Sequence, residues 1–220
     1  MPRIARAVAE GYPHHVIQRG NNRQKVFFAH ITKEKYLNLL KEYSQRWDAS
    51  ILAYCLMSNH VHILVRPNQL ESLAKMMQGV TLGYTRYRNK RYKKTGRLWE
   101  SRYYSSIIDE EDYLWAVARY IEQNPVRAGI VNKAEDYPYS SASAHIKGIK
   151  DEILNEPLFN DEEKSDYIEF IRGTIPEREI TSIRFTVKRG QPLGEEGFIR
   201  KIGDLLGIDF RKMVSANPNK

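Results

Sequence analysis

The sequence predicts an α+β fold in which helices pack on one face of a half-buried sheet. Two groups of strand-like runs, each followed by helical spacing, support this prediction. In the first group, a run at 14–19 precedes helical spacing at 32–47. In the second group, two apolar runs at 50–57 and 60–67 precede helical spacing at 70–92.

The first strand runs from His14 to Arg19 and ends at a polar turn that begins with Gly20. The first helix is predicted from Thr32 to Trp47, with Thr32 as its N-cap. Its apolar side chains recur at the spacing of one helical face, at Tyr36, Leu39, Leu40 and Tyr43.

The second group opens with a pair of strands, Ser50 to Met57 and His60 to Pro67, joined by a tight connection at Ser58 and Asn59. Helical spacing follows from Leu70 to about Tyr92. The apolar positions of this second helix are Leu73, Met76, Met77, Val80 and Tyr84.

A third helix is predicted to begin at Asp109, because the next three residues are also acidic and negative charge stabilises the N-terminal end of a helix. It should end near Asn124, since Pro125 disfavours helical geometry in the residue before it.

The composition becomes more acidic and polar from about Asp151, and we place a domain boundary there. Residues 1–148 are expected to form the main domain and residues 149–220 a small, mostly helical C-terminal extension. Within the extension, helices are predicted at 161–172 and from Glu195 to Leu206. Four cations leave a DNA contact open for this region: Lys188, Arg189, Arg211 and Lys212.

Hydrophobic residues make up 41% of the chain and charged residues 28%, which is typical of a soluble globular protein and excludes wholesale disorder. No apolar run approaches the roughly 20 residues that cross a bilayer. We therefore expect a cytoplasmic protein without a membrane partner. The single Cys55 excludes an internal disulfide, and its apolar neighbours predict a thiol in the core.

The net charge of +8 is concentrated in the first part of the chain. Residues 1–148 carry 23 Lys and Arg against 13 Asp and Glu, whereas residues 149–220 carry 12 against 14. The excess is densest between Tyr84 and Tyr104, where Glu100 is the one acid among eight cations: Arg86, Arg88, Lys90, Arg91, Lys93, Lys94, Arg97 and Arg102.

Six aromatic residues alternate with these cations: Tyr84, Tyr87, Tyr92, Trp99, Tyr103 and Tyr104. Cations neutralise phosphates and flat rings stack on unpaired bases, so this basic segment favours a nucleic-acid surface. The alternative is a solvated helical face whose aromatic rings turn into the core.

The sequence His60-Val61-His62 lies in the third predicted strand. Side chains alternate between the faces of a strand, so the two imidazoles share one face, about 6 to 7 Å apart along the strand. Such a pair can bind one divalent metal ion, although two ligands do not complete a site and a third group is needed.

Tyr120 and Asn124 lie four residues apart and therefore share one face of the third helix. Asn124 offers a carbonyl oxygen of the kind that Mg²⁺ or Mn²⁺ accepts. A phenol with a pKa near 10 is a poor nucleophile at neutral pH, but it needs less activation beside a phosphate that a metal ion polarises. The chain has 14 tyrosines, so spacing alone does not single out Tyr120.

Two motifs in this order, MSNHVHILV and RYIEQNPVRAGIV, resemble those of the HUH single-tyrosine transposases, and most of all the branch of REP-associated tyrosine transposases. The resemblance covers roughly residues 10–145. It includes GYPHHVIQRGNNRQKVFF near the start and YPYSSASAH near the end, and the later segment FTVKRGQPLGEEGF is similar to the C-terminal region of that branch.

The resemblance implies a ferredoxin-like antiparallel sheet, with the histidines on a central strand and the tyrosine on a nearby helix. It also implies that His60 and His62 bind a divalent metal, Mg²⁺ or Mn²⁺, with Asn124 as third ligand or helper. Tyr120 would attack single-stranded or hairpin DNA and form a 5′-phosphotyrosine link. Family members often have glutamine where this chain has Asn124, and the adjacent Gln123 could compete for that role.

The resemblance implies that the energy of the broken bond is kept in the covalent link, so no nucleotide cofactor is needed. The absence of a P-loop motif fits this expectation. Two other functions stay open at this point: a DNA-binding regulator that has kept the fold without the chemistry, and a nickase similar to replication initiators. A monomer and a homodimer are equally open.

Overall fold

The computed structural model of the protein describes residues 6–210. Four strands, β1 (His14–Arg19), β2 (Ala49–Leu56), β3 (His60–Pro67) and β4 (Tyr104–Ile107), form one sheet. Its order is β2-β3-β1-β4, and every neighbouring pair is antiparallel. This sheet confirms the predicted α+β class.

Two long helices connect these strands: α1 (His30–Arg46) lies between β1 and β2, and α2 (Ser72–Tyr92) lies between β3 and β4. The chain order β1-α1-β2-β3-α2-β4 is the ferredoxin-like arrangement that the resemblance implied. β3 and β1 are the two central strands, so the motif His60-Val61-His62 lies in the middle of the sheet.

The first helix begins at His30, two residues before the predicted N-cap. Thr32 is the third residue of the helix, and its hydroxyl donates a hydrogen bond to the carbonyl oxygen of Ala29 at 2.6 Å. The amide of Ala29 in turn donates to the Thr32 hydroxyl at 3.3 Å. Thr32 therefore caps this helix from inside the first turn, and its prediction as the N-cap was wrong.

One face of the sheet is covered by α1 and α2. Val61, Ile63 and Val65 of β3 point to this face and belong to one buried cluster with side chains of both helices. Those helical side chains are the ones that the spacing predicted: Tyr36, Leu39, Leu40, Leu73, Met76, Met77, Val80 and Tyr84.

The opposite face is covered by α3 (Glu110–Glu122) and by later helices. Leu52 and Cys55 of β2 and Leu64 of β3 pack there in one cluster with Val117 and Ile121 of α3. The expectation of helices on one face holds for the βαββαβ core, but across the molecule it was wrong. The reason is visible in β2, whose eight residues are all buried, as in a strand that is covered on both sides.

The third helix begins at Glu110, with Asp109 in the N-cap position, and ends at Glu122. A further helical turn, α4 (Asn124–Arg127), follows directly and contains Pro125 near its start. Proline is well tolerated there, because its missing N–H would have no partner in the first turn of a helix. Pro125 thus begins a new turn at the predicted end of α3.

Up to residue 210, four further α-helices follow: α5 (Ala142–Lys147), α6 (Lys164–Arg172), α7 (Glu177–Arg189) and α8 (Glu196–Leu206). Helices α6 and α8 agree with the helices predicted at 161–172 and from Glu195 to Leu206, whereas α7 was not predicted. Arg211 and Lys212 lie outside the described residues. Across residues 6–210, no helix combines the length and apolar character that a membrane span needs.

Gly190 ends α7 in a left-handed conformation, with a φ of +70°, and the chain then turns back along β4. The amide of Leu193 donates to the carbonyl oxygen of Ile107 at 2.8 Å, and the amide of Asp109 donates to the carbonyl oxygen of Leu193 at 2.8 Å. The C-terminal extension is therefore bonded to the end of the fourth strand, beside the start of α3.

Candidate active site

His60 and His62 point to the same face of β3, the face that α3 covers. Their ring centroids lie 5.0 Å apart, while Val61 between them is fully buried against α1 and α2. On the neighbouring strand, Arg19 lies opposite His60 and Ile17 lies opposite His62.

His60 has one ring nitrogen already engaged. Its Nδ1 lies 2.6 Å from Oδ1 of Asn59, which accepts a hydrogen bond when Nδ1 carries the proton. This tautomer leaves the lone pair of Nε2 available. Burial lowers the pKa of His60 to about 4, and the charge of Arg19 contributes to the shift, so the ring is neutral at neutral pH.

His62 is only 3% exposed, and its Nδ1 lies 3.0 Å from Nε2 of His15 on β1. The two rings stack with centroids 5.3 Å apart. Burial holds the pKa of His62 well below its usual range, and the charge that His60 acquires on protonation adds to the shift. Burial also lowers the pKa of His15 to about 3. Both rings are therefore neutral at neutral pH.

Tyr120 lies on the buried side of α3 and faces these histidines. Its ring is edge-on to His62 and to His15, at centroid distances of 5.6 and 5.7 Å. Arg127 of α4 lies over the same ring, with Cζ 4.3 Å from the centroid, and donates to the carbonyl oxygen of Tyr120 at 3.0 Å. The predicted nucleophile is thus beside both a histidine pair and a guanidinium group.

Asn124 lies one turn from Tyr120, but its amide group is already hydrogen-bonded. Nδ2 donates to the carbonyl oxygens of Tyr120 and Ile121 at 2.9 and 3.1 Å, and Oδ1 accepts from Nη2 of Arg127 at 2.9 Å. Asn124 Oδ1, which the sequence analysis proposed as a metal ligand, therefore already accepts a hydrogen bond from Arg127. Gln123 donates instead to the carbonyl oxygens of Ile171 and Gly173, so its side chain is directed to the extension.

These side chains line one open cavity of about 440 Å³. His60, His62, Tyr120 and Asn124 all contribute to its wall, and so do four cations from three different parts of the chain: Arg19, Arg127, Arg184 and Lys188. The one carboxylate in the lining belongs to Glu100. The cavity therefore suits a negatively charged substrate.

Two imidazoles of the cavity fit a divalent ion, because both are neutral and each has its Nδ1 engaged, which directs Nε2 to the ligand role. Within residues 6–210, no three His, Cys, Asp or Glu side chains come close enough to hold an ion. Further oxygen ligands would have to come from Asn124, water or the substrate. Asn124 Oδ1 can bind the ion through its second lone pair, or through both lone pairs if its hydrogen bond with Arg127 breaks.

The basic segment between Tyr84 and Tyr104 divides into an exposed and a buried part. Seven of its eight cations are exposed, and the exception is Arg88, which is buried beside Phe28 and donates to Asn89. Arg88 is therefore enclosed in this structure, unlike the other seven cations, and its role as a DNA-binding residue stays a prediction.

Half of the aromatic residues of this segment are core residues. Tyr84, Trp99 and Tyr103 are buried, and Tyr84 packs against Tyr36 and Trp99. Three of the six rings therefore follow the alternative interpretation, in which the aromatic side chains of the segment turn into the core. Tyr92 is partly exposed, and its ring centroid lies 5.2 Å from that of the exposed Phe28. These two rings are accessible for stacking on an unpaired base.

Sequence reasoning missed four residues of this site: His15, Arg19, Arg127 and Arg184. It left a DNA contact open for Lys188 but did not place that residue beside Tyr120. A signal for His15 was present, since alternation along the strand from His14 to Arg19 assigns His15 and Ile17 to one face. The two cations of α7 had no such signal, because more than 50 residues separate them from Tyr120.

Residues 9–124 match the family model described as IS200-like transposase. A protein of Haemophilus influenzae, provisionally named a REP-associated tyrosine transposase, is 24% identical over 124 residues, which cover 51% of this chain and 70% of that protein.

Among solved structures, a REP-associated tyrosine transposase bound to a REP hairpin superimposes with a TM-score of 0.57 at 16% identity. The match covers 73% of this chain and 94% of that one, and shows a shared fold. A structure of a Deinococcus radiodurans protein described as a transposase reaches a TM-score of only 0.38 at 16% identity, over 55% of this chain and 96% of that one.

Proposed function

Because the chain belongs to the IS200-like transposase family, we propose that it nicks and rejoins single-stranded DNA through a covalent bond between Tyr120 and a 5′-phosphate. One observation carries this proposal: Tyr120, His60 and His62 come from two separate elements and line one cavity, beside Asn124 and Arg127. Nucleophile, candidate metal ligands and cations for the phosphate are together in one place.

The proposed reaction is a transfer of a phosphoryl group to the phenol. Tyr120 Oη forms a bond to phosphorus and its proton passes to solvent, while the bond from phosphorus to the 3′-oxygen breaks and that oxygen leaves as a hydroxyl after taking a proton. The energy of the phosphodiester bond is kept in the new link, so the reverse reaction can join another 3′-hydroxyl. No nucleotide cofactor is needed.

Residues of this chain prepare that step. Arg127 lies over the Tyr120 ring, where its charge stabilises the phenolate that develops during attack. His60 and His62 would hold a divalent ion, Mg²⁺ or Mn²⁺, through Nε2, and such an ion supplies positive charge to the non-bridging phosphate oxygens. Asn124 donates from Nδ2 to the main-chain carbonyl oxygen of Tyr120, and its Oδ1 is the candidate for a third ligand.

The proposed substrate is single-stranded DNA next to a hairpin. The structural relative that shares the fold was solved with a REP hairpin. In this chain the basic segment leads to the cavity, since the amide of Glu100 donates to the carbonyl oxygen of Arg19 at the end of β1. DNA held by the exposed cations of the segment would therefore enter the cavity beside Arg19.

The decisive experiment uses one hairpin-bearing oligonucleotide labelled at either end, incubated with the protein and Mg²⁺ or Mn²⁺. A 5′-phosphotyrosine link joins the protein to the downstream fragment. The 3′-labelled DNA should therefore form a denaturation-resistant adduct, and the 5′-labelled DNA should be released with a free 3′-hydroxyl. A chelator should abolish both products.

Tyr120→Phe should abolish the adduct while leaving DNA affinity within about twofold, because it removes one oxygen and keeps the ring. Tyr113→Phe on the same helix is the matched control, since its hydroxyl contacts Glu195 and does not line the cavity. Adduct formation by Tyr120→Phe, or a phosphotyrosyl peptide that contains another tyrosine, would reject the assignment.

A further inference from the structure

Helix α7 of the C-terminal extension forms one wall of the cavity that holds Tyr120. Its buried face carries Ile180, Ile183 and Val187, at the spacing of one helical face. Val187 also reaches the cavity, together with Arg184 and Lys188, which are one turn apart and both exposed. The helix therefore packs on the main domain with one side and presents two cations to the cavity with an adjacent side.

Contacts at both ends and along its length hold α7 in this place. Arg119 of α3 donates two hydrogen bonds to the carboxylate of Glu179, at 3.0 and 2.9 Å, and its guanidinium lies 3.8 Å from the ring centroid of Phe170. Beyond the helix, the hydroxyl of Ser106 on β4 donates to the carbonyl oxygen of Gln191 at 2.5 Å. The wall is thus built on the same helix that carries Tyr120.

The four cations of the cavity have no acidic partners. Among the described residues, no salt bridge involves Arg19, Arg127, Arg184 or Lys188. Four like charges converge on this open cavity, and Glu100 supplies the one carboxylate of its lining. The excess of positive charge raises the free energy of the unbound protein, and a polyanion removes that repulsion.

The geometry points to Arg184 and Lys188 as a binding site for the DNA backbone phosphates that flank the scissile phosphate. The site would take a single strand that lies between α7 and the end of β1, with Arg19 on its other side. This inference rests on the proposed function for the identity of the strand. The extension, whose 72 residues have more acids than cations, would then contribute directly to substrate binding.

The test compares two double variants that remove the same charge from α7. Arg184→Gln with Lys188→Gln removes the cations of the wall. Arg178→Gln with Arg189→Gln is the matched control, since both arginines are exposed on the same helix and neither lines the cavity. Both pairs are made in full-length Tyr120→Phe protein, so that binding is measured without covalent capture.

Affinity for a single-stranded oligonucleotide is measured over a series of salt concentrations. The wall variant should lower the slope of log K against log salt by about 1.4, because each phosphate of a single strand that is no longer neutralised lowers it by roughly 0.7. The control variant should leave the slope unchanged. With Tyr120 intact, the wall variant should form the adduct more slowly at low DNA concentration and at nearly the normal rate at saturation.

Equal slopes for the wall variant and the unsubstituted protein would overturn the inference, and so would equal reductions in both variants, which would indicate a general effect of net charge. Melting temperatures of both variants check that the fold is kept. The proposed function fails separately, if the unsubstituted protein forms no adduct. The salt slopes still decide the phosphate site in that case, because they do not depend on cleavage.

Discussion

The position of the proton on each imidazole decides whether the histidine pair can bind a metal ion. His62 Nδ1 and His15 Nε2 are 3.0 Å apart, so one nitrogen donates and the other accepts. If Nδ1 of His62 donates, its Nε2 lone pair is free for a ligand, and His15 must then carry its own proton on Nδ1. That nitrogen is buried and has no hydrogen-bond partner among the described residues. An unpartnered polar atom in the core costs free energy, and this tautomer leaves Nε2 of His62 free to bind a ligand.

We therefore expect His15→Leu to weaken binding of Mn²⁺ by about 10- to 100-fold, the usual effect of removing the partner that orients a metal-binding histidine. The free energy of unfolding should change little, because the loss of the unpartnered His15 Nδ1 is offset by the loss of the hydrogen bond to buried His62 Nδ1. Calorimetric titration with Mn²⁺ and urea unfolding measure the two quantities.

His60→Ala, which removes a ligand, and His15→Gln, which retains a hydrogen-bonding side chain, are the reference variants. His60→Ala should bind Mn²⁺ at least as weakly as His15→Leu, and His15→Gln should recover part of the affinity. Unchanged affinity in His15→Leu would mean that His15 only fills space.

At the scale of single elements, the spacing of apolar residues correctly predicted the buried face of α2. It did not predict which of the neighbouring cations are exposed to solvent. Every apolar position predicted for α2 is buried. The cations that follow in sequence, however, include the buried Arg88 as well as exposed residues near the C-terminal end of the helix. Three of the six aromatic rings of this segment are buried in the core, so alternation of rings and cations does not by itself identify a base-stacking surface.

Neutralising the exposed end of α2 should reduce DNA affinity broadly and lower the salt slope by about 0.7 to 0.9 for each phosphate that the protein no longer neutralises, the range spanned by single- and double-stranded DNA. The substitutions are to Gln at four exposed positions, Lys90, Arg91, Lys93 and Lys94.

A set of four exposed cations in the extension, none of which lines the cavity, provides the control: Arg172, Arg178, Arg189 and Arg200. Filter binding at several salt concentrations gives both slopes. Equal slopes for the two variants would favour a solvated surface over a DNA-binding one.

Over the whole molecule, buried polar groups join the extension to α3, the helix that carries Tyr120. Glu122 of α3 is fully buried and accepts hydrogen bonds from Tyr167 of α6 at 2.9 Å and from Ser141, and its carboxylate lies 2.7 Å from Nδ1 of His145. Breaking such a cluster leaves a buried charge without partners, which is costly. The predicted boundary near residue 148 stays a prediction, and these contacts cross it.

The stability of the whole fold should decrease as the pH falls, and His14 is one cause. It is fully buried, and burial lowers its pKa to about 4 from the 6.5 of an unfolded chain, while the carbonyl oxygen of Tyr12 partly offsets the shift. The unfolded state therefore binds more protons between these values, so the contribution is complete above pH 6.5 and is lost as the pH falls towards 4.

His14→Gln should flatten this dependence. Between about pH 7.5 and pH 5, His14 alone should account for about 2 kcal/mol of the decrease in unfolding free energy. Urea denaturation of both proteins at the two pH values measures the difference. Parallel decreases in the two proteins would show that His14 is protonated in the folded state or is not buried in solution.

The sequence by itself determined the class of the fold and the chemical groups of the site. Alternation and helical spacing are local properties, so they predicted the strands β1 and β2 and the helices α1 and α2 around the histidine strand. They also put Tyr120 one turn from Asn124. The order of the two motifs, MSNHVHILV and RYIEQNPVRAGIV, was specific enough to indicate the family that residues 9–124 match.

Only the tertiary structure decided which groups meet. His15 reaches His62 because β1 pairs with β3, Arg127 covers Tyr120 because a second helical turn follows Pro125, and α7 enters the cavity because its apolar face packs beside α3 and β4. The direction of the Asn124 oxygen likewise depends on Arg127. These contacts depend on burial and hydrogen bonding between distant segments, and residue spacing carries no information about them.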